Sequence, residues 1–185
     1  MDGKIAILGF AGSLRKGSYN RALLRVASEV VPPGATLETF DLSGIPFFNQ
    51  DLEQTPSDVV KEFKSKIRAA DAILIATPEY NYSIPGVLKN AIDCASRPYG
   101  DNAFDGKPVA MMSASVGMLG GARAQYHLRQ SFVFLNMYPV YRPEVFVALA
   151  HEKFDSEGGL LDDKTRELVA QLLQALVDWT RKLRG

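Results

Sequence analysis

Residues 71–95 read DAILIATPEYNYSIPGVLKNAIDCA, a continuous apolar run, a polar loop bracketed by Pro78 and Pro85, and a helical stretch. A run such as Asp71 to Thr77, apolar at every position from Ala72 to Ala76, suits a strand buried on both faces. The stretch from Pro85 to Ala95 then predicts a helix. Strand, loop and helix in that order form one half of a crossover unit, which decides the fold class if it repeats along the chain.

It does repeat. Lys4 to Phe10 (KIAILGF) is a second apolar strand, followed by a loop and a helix with apolar residues at Leu23, Ala27, Val30 and Val31 after a cap at Ser18 and before Pro32-Pro33-Gly34. Ala35 to Phe40 alternates apolar and polar residues, the pattern of an edge strand. Leu42 to Glu53 has no period and reads as a loop. Thr55-Pro56-Ser57-Asp58 supplies a cap, an N1 proline and an acidic first turn for a helix burying Val59, Val60, Phe63 and Ile67. Pro108 to Ser113 predicts a strand, Gly120 to Phe134 a helix, Tyr138 to Val147 a last strand interrupted by Pro139 and Pro143, and Asp162 to Leu183 a long amphipathic helix. Five strands alternating with five helices predict an α/β parallel sheet covered on both faces, a single domain over residues 1–185.

Composition narrows the function. The chain has 185 residues, 46% of them hydrophobic, with 21 Lys and Arg against 21 Asp and Glu. A net charge of zero offers no field for nucleic acid or an anionic membrane. One cysteine, Cys94, excludes an intrachain disulfide, and with His127 and His151 as the other soft ligands no spacing cages zinc, so no metal site is expected. Met1 to Ile5 runs straight into a strand without the pattern of a leader, and no apolar run nears the ~18 residues of a membrane span, so a soluble, cytoplasmic protein is expected.

In a sheet of this kind, ligands lie outside the carboxyl ends of the strands. The loop after the first strand, Gly12-Ser13-Leu14-Arg15-Lys16-Gly17-Ser18-Tyr19-Asn20, suits an anion. Its small residues let N–H groups turn inward, Ser13, Ser18 and Asn20 are side-chain donors, Arg15 can fork onto two phosphate oxygens, and a helix N-terminus adds positive charge. Ser18-Tyr19 stand where a triphosphate loop needs Lys and Ser/Thr, and G-x-G-x-x-G is absent, so a monophosphate fits best. The second loop, Pro78-Glu79-Tyr80-Asn81-Tyr82-Ser83, offers stiff main chain and two tyrosine faces to a planar heteroaromatic ring. The third, from Ser113 to Gly121 and including Ser115 and Gly117, is glycine-rich and lets a ligand approach the backbone. Together they describe a phosphorylated planar cofactor, for which flavin mononucleotide is the economical choice.

Three segments carry a resemblance. Gly12-Ser13-Leu14-Arg15-Lys16-Gly17-Ser18-x-Asn20, Pro78-Glu79-Tyr80-Asn81-x-Ser83-x-Pro85-Gly86-x-Leu88-Lys89-Asn90-Ala91-Ile92-Asp93, and Gly120-Gly121-Ala122-Arg123-Ala124-Gln125 followed by Leu128-Arg129 resemble the signatures of NAD(P)H-dependent FMN reductases, the group containing chromate, quinone and azo-dye reductases. The resemblance spans nearly the whole chain. It implies a flavodoxin-like three-layer fold with a five-stranded parallel sheet in the order 2-1-3-4-5. It also implies FMN phosphate at Ser13, Arg15, Ser18 and Asn20, and the isoalloxazine along Pro78, Glu79, Tyr80, Asn81, Tyr82 and Ser83 and near Ser115 and Gly117. Homodimers or homotetramers with flavin near the subunit boundary are implied too. The one departure is Cys94, where the resemblance leads us to expect an aromatic residue, often Trp.

The chemistry then belongs to the cofactor, with NAD(P)H as co-substrate, hydride passing through flavin N5, and an oxidised acceptor taking the electrons; no side chain is assigned a catalytic role. Glu79 is expected to bind through its backbone. Cys94, His127 and His151 read as packing, structural or solvated residues, with substrate contact open to His127 if it faces the site. The rival is a flavodoxin-type electron carrier without NAD(P)H turnover, which is usually strongly acidic; zero net charge argues against it.

Overall fold

The computed structural model describes residues 3–185; the expectation about a leader falls partly on Met1 and Asp2 and to that extent lies outside them. The strands β1 (Ile5–Ala11), β2 (Ala35–Phe40), β3 (Ala72–Ala76), β4 (Pro108–Ala114), β5 (Tyr138–Pro139) and β6 (Val145–Val147) form one sheet. Its order is β2-β1-β3-β4-β5, with β6 also on β4, and every pairing is parallel. The helices are α1 (Tyr19–Glu29), α2 (Asp58–Ala69), α3 (Gly86–Ala95), α4 (Ala122–Leu135), α5 (Ala150–Lys153) and α6 (Asp163–Leu183).

Alternation along each central strand feeds two cores. Ile5 and Ile7 of β1 and Leu74 of β3 pack with Leu23 and Ala27 of α1 and Leu172, Leu173, Leu176 and Val177 of α6. Leu8 and Phe10 of β1 and Ile73 and Ile75 of β3 pack on the other side with Phe63 and Ile67 of α2, Leu88 and Ile92 of α3, and Leu128 and Phe132 of α4. A strand with a core on each face has no position left for a polar residue, hence the unbroken apolar runs. This is the flavodoxin-like three-layer arrangement.

One local feature carries the sequence reading further and three differ from it. The fifth sheet position holds two short strands, β5 beside Pro108 and Val109 and β6 beside Met112 to Ala114, because Pro139 and Pro143 lack the N–H a continuous ladder requires. Helix α2 starts at Asp58 with Ser57 as its cap, two residues later than the Thr55-Pro56 start, since the Thr55 N–H instead closes the preceding turn onto the Leu52 carbonyl at 3.0 Å. The segment read as a loop contains two short 3₁₀ turns, Leu42–Gly44 and Gln50–Leu52, whose N–H groups are capped by the side chains of Asp41 and Asn49. Helix α5, too short for a periodic signal, follows β6. Among the described residues no helix is long and apolar enough to cross a membrane.

Candidate functional site

The loops after β1, β3 and β4 are bonded side by side. The Gly12 N–H donates to the Ala76 carbonyl at 2.8 Å and the Thr77 N–H to the Met112 carbonyl at 3.0 Å, so each strand end is tied to the next. A Cβ on Gly12 would lie 3.1 Å from Leu88 Cβ and 3.2 Å from Thr77 Oγ1, so its absence lets α3 pack close.

In the first loop Ser18 caps α1, its Oγ accepting from the Arg21 N–H at 3.4 Å. The N–H groups of Tyr19 and Asn20, in the first turn, have no carbonyl four residues back within the helix and face the loop end. Ser13 and Ser18 are buried. Arg15 is exposed, with its guanidinium 5.8 Å from the centroid of the Tyr19 ring. The Asn20 side chain also has a structural task that the sequence reading did not assign to it. Its Nδ2 donates to the Ala114 carbonyl at 2.8 Å and its Oδ1 accepts from the Ala114 N–H at 2.9 Å, so the amide joins α1 to the end of β4 and keeps one N–H, with the Asn20 main chain, for an anion.

The second loop is a tight reversal. Tyr80 and Ser83 exchange two main-chain hydrogen bonds of 3.0 Å each, and between them Asn81 and Tyr82 take φ of 49° and 67°. Two consecutive residues at positive φ make a type I′ turn, a conformation tyrosine resists by about 1 to 2 kcal/mol, and one that aims the loop's peptide groups in a fixed direction. Helix α4 braces it. Glu79 accepts from the Arg123 N–H at 3.2 Å and is paired with its guanidinium, a hydrogen bond that holds the guanidinium even more firmly protonated than usual. The Arg123 guanidinium also stacks 3.5 Å from the Tyr82 ring centroid, covering a face that the sequence reading left open to a ligand. One turn on, His127 Nδ1 is 3.0 Å from Ser83 Oγ. Arg123 had one signal in the sequence, its place in the Gly120–Gln125 segment, and the sequence leaves His127 open to substrate contact if it faces the site; the contacts themselves arise only when α4 docks on this loop.

In the third loop the Ser115 Oγ accepts from the Gly117 N–H at 3.1 Å, while the Ser115 carbonyl accepts from Ala150 of α5 at 3.0 Å. Val116, Met118 and Leu119 are exposed around it. Gly120 and Gly121, at φ of 58° and 89°, turn the chain into α4.

The residues set aside earlier behave as packing and surface groups. Cys94 is buried, its Sγ 3.6 Å from the Pro46 carbonyl, and burial, followed by the charge of Asp93, pushes its thiol up. It lines a cavity of about 280 Å³ with Phe48, Leu52, Val60 and Arg97. Lys89 and Asp93 pair across one turn at 2.6 Å. His151, on α5, lies 3.6 Å from Glu152.

Buried hydroxyls at a helix N-terminus, beside rigid main chain and a glycine-rich turn, form a donor set that fits a phosphate joined to a flat ring. Comparison with known proteins agrees. The sequence model of the family described as NADPH-dependent FMN reductase matches residues 5–152. The chain is 55% identical over 186 residues to an NAD(P)H-dependent FMN reductase of Pseudomonas aeruginosa, covering 100% of both. It is 48% identical to an NAD(P)H:quinone oxidoreductase of Solanum tuberosum, over 98% of this chain and 95% of that one. Among solved structures, the flavoenzyme NAD(P)H:(acceptor) oxidoreductase FerB from Paracoccus denitrificans superposes with a TM-score of 0.87 at 34% identity, covering 96% of this chain and 98% of its own. With a family model matched over residues 5–152 and relatives of this identity over nearly their whole length, the chain belongs to the NADPH-dependent FMN reductase family.

Proposed function

We propose that residues 1–185 form one cytoplasmic FMN-binding domain that catalyses NAD(P)H-dependent reduction of quinones, with free flavin, azo compounds and metal oxyanions such as chromate as further acceptors. The observation that carries this reading is the alignment of the three loops at adjacent strand ends. The hydroxyls of Ser13 and Ser18 and the first-turn N–H groups of Tyr19 and Asn20 would hold the phosphate, with Arg15 closing over it. The main chain of Pro78 to Ser83 would read the polar edge of the ring, and Ser115 and Gly117 would let it lie against the backbone. Bound FMN would supply two-electron exchange between nicotinamide and acceptor. The protein's part is to fix that geometry and exclude water; Arg123 serves it by locking Glu79 and Tyr82.

The deciding experiment is anaerobic addition of NAD(P)H to FMN-loaded protein. Bleaching of the flavin absorption, restored by a quinone, supports the enzyme; a flavin that stays oxidised supports the electron-carrier reading. Arg15→Ala is expected to weaken FMN binding by about 1.5 to 3 kcal/mol, the scale of a hydrogen bond to a charged group, without unfolding the chain. Flavin titration of the folded variant measures this, and unchanged affinity would remove Arg15 from the site.

The same reading includes a homodimer or homotetramer. Phe47 is 91% exposed, Tyr82 67% and Tyr80 50%, a concentration of wet aromatic surface that association would cover. Light scattering at micromolar concentration is expected to give at least twice the mass of one chain. A monomeric mass with FMN bound and turnover intact would end that part of the proposal.

A further inference from the structure

Reducing a quinone builds negative charge on its oxygens, and the charged side chains at the loop that would carry the ring are already engaged. Both oxygens of Glu79 accept from Arg123, and Arg123 in turn is stacked on Tyr82. His127 differs. It stands one turn beyond Arg123 on the same face of α4, is exposed, and makes one side-chain hydrogen bond among the described residues, Nδ1 with Ser83 Oγ at 3.0 Å. Among the described residues no partner engages its Nε2. When the Ser83 hydroxyl donates to Nδ1, the ring proton sits on Nε2, which then points away from Ser83 as an oriented donor.

We propose that His127 Nε2–H donates a hydrogen bond to the carbonyl oxygen of a quinone bound against the Pro78–Ser83 loop, with Ser83 as the residue that positions the imidazole. The inference rests on reading that loop as the ring surface. In the overall step NAD(P)H loses a hydride, two electrons and one proton, and becomes NAD(P)⁺; the quinone gains them and becomes the hydroquinone monoanion, which takes its second proton from water. The Nε2–H stabilises the charge of that monoanion as it develops, a donor aimed at an oxyanion.

The test compares two acceptors on FMN-saturated protein. 1,4-Benzoquinone develops an oxyanion, whereas ferricyanide takes single electrons and offers no such oxygen. His127→Ala should lower kcat/KM for benzoquinone about 10- to 100-fold, the worth of a hydrogen bond to a charged group, and leave ferricyanide reduction within about twofold. His127→Gln, whose amide nitrogen reaches a similar point, should restore much of the loss. Independently of turnover, hydroquinone added to the oxidised protein should shift the ¹⁵N resonances of the His127 imidazole. Equal loss with both acceptors, loss with neither, or an unmoved imidazole would overturn the proposal. Wild-type protein that reduces neither acceptor would overturn the flavin reading itself, and this proposal with it.

Discussion

A Gly120→Ala variant is expected to lose about 3 to 5 kcal/mol of folding stability, at the upper end for a single substitution. Two costs add at this position. Gly120 has φ of 58°, which any residue with a Cβ adopts at about 1 to 2 kcal/mol. The added Cβ would also lie 2.7 Å from the Phe146 carbonyl carbon and 2.9 Å from the Ala148 nitrogen, both main-chain atoms, so the end of β6 would have to move. That strand end is tied to the third loop through the Ser115 N–H and the Val147 carbonyl, and the Gly120 carbonyl accepts from the buried Ser113 Oγ at 2.6 Å. Gly100→Ala provides the control, because Gly100 has φ of 84° but nothing within 4 Å of the point a Cβ would occupy, and should cost only the backbone share. Urea unfolding of both apoproteins separates the terms. A Gly120→Ala loss no larger than that of Gly100→Ala would mean that the β6 edge yields freely and that the close approach has no energetic weight.

The contrast between these two glycines shows what a sequence withholds. Both sit in loops and look alike as letters; only the fold brings β6 against one of them. The central strands were legible because burial on both faces leaves its mark along Ala72–Ala76 and at every residue of Ile5–Ala11 but the half-buried Ala6. The division of the last strand was legible for a related reason, since a proline declares its missing donor wherever it stands. The beginning of α2 was not, because Thr55 and Ser57 are equally good caps locally and the choice falls to a turn formed three residues upstream. In the site, the loops could be placed from topology alone, but the direction of a side chain could not. Tyr82 was read as an open ring face and is stacked under Arg123, a partner 41 positions away that becomes a neighbour only when α4 packs on the β3 loop.

The structural tie made by Asn20 was hidden for the same reason, and its replacement is the second large effect. It lies in the phosphate loop's signature, the residue is 2% exposed, and both ends of its amide are bonded to Ala114. Asn20→Ala strips the partners of both the N–H and the C=O of one buried residue, Ala114, and each orphaned group costs about 1 to 3 kcal/mol, so a loss of about 2 to 6 kcal/mol is expected in the apoprotein. Asn20→Asp should do no better at neutral pH. It keeps an acceptor for the Ala114 N–H but sets a second oxygen against the Ala114 carbonyl in a site with little water. FMN affinity should fall as well, though indirectly, because the first loop would no longer be registered to the end of β4. Denaturant unfolding without flavin, followed by FMN titration of whatever folds, distinguishes the two roles. An Asn20→Ala protein as stable as wild type without FMN, yet weakened in binding it, would return the amide to the phosphate; a destabilised apoprotein would confirm it as the tie that holds the first and third loops in one site.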